Sequence, residues 1–313
     1  MMEVKNAWLE RLTWTHGKAS LAAMLALLGC GALLAVSTNL AKFAHQLNII
    51  PSAFLLWSLA GATVLLFAFT YWKGEKPPTT RSALEYYVVA ALLSVAGSNL
   101  IFFSAVAKVG VGFVAMAISL PPLLTYLGAL MLGMETLNGW RVFGVLLALL
   151  GTLVLVSSKW SDPASDSRWI VLTLCGPVLL AAGNLYRSRR WPTGGSPRSL
   201  APGMLAAATV QLFAFALLQS EQSIALNLAP RELAVLALQS LVFAGQFLML
   251  FILQRVGGPV FLSLLGSVSA VLAVPLAMWW FDEPLLSGLL PSALLIGVGV
   301  ISMLVGQSPS TRS

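Results

Sequence analysis

Residues 30–42, CGALLAVSTNLAK, and residues 175–187, CGPVLLAAGNLYR, are two versions of one apolar segment. Each opens on Cys-Gly and ends on a matched quartet, Asn39-Leu40-Ala41-Lys42 and Asn184-Leu185-Tyr186-Arg187, at an offset of 145 residues without a gap. The likeness continues outward. Asn99 through Lys108-Val109-Gly110 matches Gln246 through Arg255-Val256-Gly257 at an offset of 147, and Phe113, Ser119, Glu135 and Gly151 match Phe261, Ser267, Glu283 and Gly299 at 148. Order is kept and the offset drifts by only three residues, so the chain reads as an internal duplication.

The composition says where such a chain can live. Of 313 residues, 58% are hydrophobic and 9% charged, against roughly 25% charged in a soluble domain. With a mean hydropathy of +0.88, the apolar side chains must face lipid or each other, which excludes a water-soluble globule of this size. The net charge of +7 would suggest nucleic acid in a soluble protein. Here the basic residues flank apolar runs, as topology signals do, and no nucleic-acid partner is expected. Cys30 and Cys175 sit in apolar stretches and His16 and His45 outside them, so neither a disulfide framework nor a metal site is indicated. The polar N-terminal segment lacks a nearby small-residue cleavage site, so no removable signal peptide is expected.

About 20 apolar residues per helix are needed to cross a bilayer. Ten runs qualify: 20–42, 51–72, 84–107, 111–133, 138–157, 169–186, 199–219, 233–254, 258–280 and 285–306. Their continuity predicts an all-α membrane protein rather than a barrel of alternating strands. With the N-terminus inside, the inner segments hold Lys5, Arg11, Lys18, Lys73, Lys76, Arg81, Arg141, Arg187, Arg189, Arg190, Arg198, Arg255 and Arg312. The outer ones hold only Lys42, Lys108, Lys159, Arg168 and Arg231, which predicts that both termini are cytoplasmic. The expected organisation is a short N-terminal segment (1–19), a five-helix repeat (20–158), a second (168–306) and a tail (307–313). Because five is odd, the second repeat enters the membrane inverted, which relates the halves by a pseudo-twofold axis in the membrane plane and is a transporter's architecture.

The residues then resemble a known family. Lys108-Val109-Gly110, Ser119-Leu120-Pro121-Pro122-Leu123-Leu124, Glu135-Thr136-Leu137, Gly144 and Gly151 resemble the drug/metabolite transporter superfamily, in particular its EamA-domain members. The second half repeats the pattern as Arg255-Val256-Gly257, Ser267 to Ala270, Glu283-Pro284-Leu285 and Gly299, with Ala270 in place of the second proline. The resemblance spans Leu21 to Val305. It implies ten helices in two repeats and outward movement of small metabolites, commonly amino acids, across the bacterial inner membrane.

Candidate site residues are the polar groups placed inside the spans, since each must find a partner or line water. No Asp or Glu falls near the midplane, which disfavours exchange of a proton for a cationic drug and favours a neutral or zwitterionic cargo. The near-midplane set is Ser94, Ser98, Asn99, Ser119, Thr125, Gln246, Ser263, Ser267 and Ser269. Asn99 and Gln246 are repeat mates, as are Ser119 and Ser267, and paired amides offer donors and acceptors to an amino or carboxyl group. Together with the hydroxyl of Ser98, and with Trp57 as an aromatic wall, these form the expected substrate-binding set. The ordinary alternative for each hydroxyl is a bond to the preceding helical turn. Asn39 with Lys42, and Asn184 with Arg187, fall at opposite membrane faces and are expected gates, or the cations simply snorkel to the head groups. Pro121, Pro122 and Pro275 interrupt matching helices and are expected hinges. Glu135 and Glu283 end long spans, where capping suffices to explain them. Gly110, Gly112, Gly257 and Gly258 suit tight hairpins, and Gly144, Gly151, Gly297 and Gly299 suit close helix packing or a homodimer face.

An enzyme embedded in the membrane would bring acids, a histidine, or a nucleophile and base together. No such constellation is present, and no nucleotide-binding loop occurs, so neither enzyme activity nor a cofactor is expected. A sugar-nucleotide or triose-phosphate exchanger is the alternative, but its cargo calls for Lys or Arg facing the cavity, and the expected span interiors hold none. The expected partners are a small-molecule substrate and membrane lipid.

Overall fold

The computed structural model describes residues 2–134, 136–160, 166–219, 229–256, 262, 265–282 and 288–305, and every regular element among them is helical. Glu135, Glu283, Ser263, Gly257 and Gly258 lie outside the described residues, as does the tail 307–313. The helices are α1 (Met2–Gln46), α2 (Pro51–Trp72), α3 (Arg81–Ala91), a π-helical turn (Leu92–Ala96), α4 (Gly97–Val109), α5 (Val111–Ile118), α6 (Pro121–Met131), α7 (Gly139–Trp160), α8 (Ser167–Arg189), α9 (Pro197–Gln219), α10 (Pro230–Val256), α11 (Leu265–Phe281) and α12 (Leu289–Val305). Eight stretches are long and apolar enough to cross a membrane, beginning with Met24–Gln46, and α11 and α12 supply two shorter apolar helices.

Local chemistry sets the boundaries. Pro51 starts α2, where its missing N–H costs nothing. Thr80 accepts from the Ala83 amide at the start of α3, and Asp166 accepts from that of Arg168 at the start of α8. The expected span 111–133 is broken: Ser119 and Leu120 close it with short-range bonds to Met116 and Ala117, and Pro121 restarts it as α6. Pro275 behaves differently from the expected hinge, because α11 continues through it without interruption. Pro177, in α8, is likewise a proline inside a continuous helix.

Gly110 joins α4 to α5 at φ 89° and ψ 159°, a conformation open essentially to glycine. Gly110→Ala is therefore expected to cost about 1–3 kcal/mol of backbone strain. A lowered thermal midpoint of the purified protein reads this, and an unchanged midpoint contradicts it.

The packing has a regular plan. α1 lies against α10 and α11, while α8 lies against α4, α5 and α6; α2 meets α9 and α10, and α9 also meets α3. α5 meets α11, and α7 pairs extensively with α12. In that last pair a Cβ at Gly151 would lie 2.9 Å from the Ser292 oxygen and 2.8 Å from Ile296, and a Cβ at Gly299 would lie 2.5 Å from the Gly144 oxygen. Rising numbers on α7 meet falling numbers on α12, so the two run antiparallel, and the glycines permit the close approach. Phe54, Phe103, Phe243 and Phe247 knit α2, α4 and α10 together through ring contacts of 5.7–5.9 Å. Large apolar side chains such as Trp72, Leu146, Leu153, Val210 and Leu294 stand exposed on the outside, as a lipid-facing surface requires.

Candidate substrate cavity

The π-helical turn is the local event that shapes the interior. It bulges α3 and α4 at Leu92–Ala96, and such turns insert one extra residue into a helix, often where function needs it. Ser94 in the bulge is brought so close to α8 that a Cβ at Gly183 would clash with its hydroxyl. Beside this crossing lies a cavity of about 70 Å3. The first half lines it with Leu34, Ser94, Asn99, Phe102, Ile118 and Pro121, and the second with Leu180, Asn184, Arg187, Gln246, Phe247 and Gly266, among others.

Repeat mates Asn99 and Gln246 thus share one cavity, reached from α4 and α10. Both are buried, and the Gln246 side-chain oxygen has no hydrogen-bond partner. The Gln246 main-chain oxygen accepts from the Cys30 thiol at 3.3 Å, which fixes α10 against α1. A second bond between the same helices, Gln239 Nε2 to Ser37 Oγ at 2.6 Å, holds their register.

Arg187 corrects the expectation that no cation faces the interior. Its side chain is only 2% exposed and turns into the cavity, where Nη2 donates to Asn184 Oδ1 at 2.8 Å. Three residues apart, the two lie on one face of α8. Counting spans from apolar runs put Arg187 just past a helix end, whereas α8 carries on to Arg189 and packs Arg187 inside.

The other expected residues are distributed elsewhere. Asn39 is fully buried away from the cavity lining and donates to its own helix at Ala35 O, 2.9 Å, and to Ala273 O of α11, 3.2 Å. Lys42 sits 4.9 Å over the Phe281 ring, next to a Phe43–Trp280 contact of 5.8 Å, so it caps the α1–α11 seam. Ser119 and Ser267 line a second, more apolar cavity of about 320 Å3 between α5, α11 and α12, together with Pro275. The Ser119 hydroxyl there donates back to Met116 O at 2.6 Å, the ordinary local bond. Ser98 is buried but lines neither cavity, and Trp57 is 40% exposed on the outer surface and lines neither. Pro121 borders the first cavity at the break between α5 and α6; Pro122 is buried beside it.

Sequence reasoning did not single out Phe102, Phe247 or the π-helical turn. Phenylalanines in an apolar run carry no distinguishing signal, and a π-turn differs from α-helix by one hydrogen-bond step that composition does not encode.

Comparison with known proteins gives the following. Residues 21–157 match a family described as the EamA-like transporter family. The chain is 28% identical over 191 residues to the "Uncharacterized inner membrane transporter YedA" of Escherichia coli K12, a match covering 61% of this chain and 57% of the relative. YedA from the O6:H1 and O157:H7 strains of Escherichia coli matches to the same extent. The chain therefore spans a little over half the length of the curated relatives it matches. A solved structure described as "Crystal structure of protein" shares the fold at a TM-score of 0.63 and 19% identity, covering 95% of this chain and 99% of that one.

Proposed function

We propose that this chain, whose residues 21–157 match the EamA-like transporter family, is a multi-pass inner-membrane secondary transporter exporting small metabolites by alternating access. The observation that carries this reading is a cavity to which both halves of the chain contribute polar side chains, Asn99 from one and Asn184, Arg187 and Gln246 from the other. Amino acids and related zwitterions are the favoured cargo, bound by the paired amides.

Contacts between repeat mates support the inverted duplication. At the offset of 148, Gly299 against Gly144 and Ala148 repeats Gly151 against Ser292 and Ile296 with the partners exchanged. Thr63 and Thr209, 146 apart, share a hydrogen bond of 3.3 Å, and Gly266 crosses its own mate, Ile118. Exchange of partners is what a twofold relation produces. The antiparallel run of α7 and α12 supports an axis perpendicular to the helices, with both termini on the cytoplasmic side as the basic residues vote.

The two gates are unequal, as a transporter facing one side requires. On one side Asn39 ties α1 to Ala273. Thr125 is the mate of Ala273, and the mate of Asn39 is Asn184, which faces Arg187 in the cavity. In the opposite-facing state Asn184 reaches the Thr125 carbonyl and Asn39 releases Ala273, while α5 and α6 pivot at Pro121 and Pro122. The matching points on α11 are Ser269 and Ala270, and Pro275 lies five residues beyond Ala270. The glycines of α7 and α12 mostly meet within the chain, so a homodimer through this pair would meet over leucine and valine side chains.

Sugar-nucleotide or triose-phosphate exchange gains from Arg187 the cation it needs. Of the residues lining the cavity, however, Arg187 is the one cation, short of what a diphosphate calls for. The test is counterflow: proteoliposomes preloaded with unlabelled amino acids are expected to accumulate the labelled ones transiently, while protein-free liposomes do not. Absence of counterflow with amino acids, their deaminated acids and their amides refutes the transporter reading.

A further inference from the structure

From the placement of Arg187 we infer that the cavity recognises its cargo through a carboxylate, and that an amino group on the cargo is dispensable. This rests on the transporter reading and narrows it to a chemical class, small monocarboxylates with or without an α-amine.

A guanidinium presents five N–H donors and does not lose its proton in proteins. Among the described residues only Nη2 is used, in the bond to Asn184; Nε and Nη1 are buried there without a partner. Leaving charged donors unmatched in a low-dielectric interior is costly, and the cost falls when an anion arrives. No acid is at hand to neutralise it, since the described residues bury no Asp or Glu. The groups within electrostatic reach are the Cys30 thiol and the Tyr86 phenol, and the Tyr86 hydroxyl is also buried without a partner. The cavity is thus a donor-rich, net positive pocket. A carboxylate matches it in charge and in planar two-pronged geometry.

An ammonium finds much less. The unpartnered acceptors at the cavity wall, the Gln246 oxygen and the Ser94 hydroxyl, are both neutral, and beside them stands a like charge. The carboxylate is therefore the required group. Phe102, Phe247 and Leu250 leave the rest of the cargo an apolar surround, which suits a short hydrocarbon side chain.

Matched triplets test this without first knowing the cargo: alanine, propionate and alaninamide, with the leucine and phenylalanine counterparts. In each triplet that binds, thermal stabilisation and proteoliposome flux are expected for the amino acid and the deaminated acid within about tenfold of each other. The amide should be weaker by about a hundredfold, the loss typical of removing one member of a buried charge pair. Arg187→Gln should abolish the difference between acid and amide, and Arg187→Lys should restore part of it. Because the triplets are compared on the unaltered protein, the proposal is testable even if Arg187→Gln fails to fold. Flux of amides equal to that of acids overturns the carboxylate requirement and leaves the transporter reading standing. Loss of binding on deamination overturns the dispensable amine. Flux of no member of any triplet overturns both.

Discussion

Gly266→Val is expected to destabilise the protein by about 3 kcal/mol or more, the upper end of the usual cost of overpacking, and to abolish transport. A Cβ at Gly266 would fall on the Ile118 carbonyl group and within 2.8 Å of the Ser119 Cα. The obstacle is main chain, which cannot rotate aside as a side chain can, so α11 or the α5–α6 break must move. That crossing lies where the repeat mates Gly266 and Ile118 meet, and both residues border the central cavity. Alanine should give the same effect in smaller degree. Thermal unfolding in detergent and flux in proteoliposomes read the two consequences; a valine variant with the parent's midpoint and flux contradicts the crossing.

Asn99→Leu combined with Gln246→Leu is expected to move stability and transport in opposite directions. Each amide removed deletes about 1–1.5 kcal/mol of hydrogen bonding to cargo, so the pair together should weaken binding about 30–150-fold. Folding should not suffer, because the Gln246 side-chain oxygen is already buried without a partner, and replacing an unmatched buried polar group by an apolar one is neutral or favourable. The variant should therefore insert into the membrane with an unchanged or raised melting temperature and show flux reduced in proportion at low cargo concentration. Normal flux removes Asn99 and Gln246 from the cargo site. A large fall in stability with lost flux assigns them to packing instead.

The stability of the helix packing and the chemistry of the proposed cavity depend on different features. The packing rests on small residues at helix crossings, where Gly151, Gly299 and Gly266 let backbones approach. The proposed cargo site rests on which side chains are left unmatched, chiefly those of Arg187 and Gln246. Mutations of the first kind should lower the melting temperature. Those of the second should change selectivity.

Much of this was legible in the sequence. Helical class and membrane residence follow from composition and run length alone, because lipid accepts only backbones that satisfy themselves internally. The duplication, and with it the pairing of Asn99 with Gln246, was readable from matched residues at offsets of 145 to 148. A break at Pro121 was readable because the ring removes a donor. The rest required the packed structure. Whether a proline bends or breaks its helix depends on which neighbours satisfy the freed carbonyl, so Pro121 and Pro275 differ. Likewise Ser98 and Asn99 are adjacent in sequence, yet only Asn99 reaches the cavity, because successive residues on a helix point about 100° apart. Arg187 shows the limit most clearly: hydropathy assigns a cation near a helix end to the membrane surface, whereas the depth of its side chain is decided by where α8 crosses the π-helical turn and by the hydrogen bond from Arg187 to Asn184. Sequence alone determined the solvent, the helices and their duplication, which are additive over local runs; the cavity and its charge arise from contacts between segments distant in the chain, such as the approach of Ser94 to Gly183, which only the tertiary structure decided.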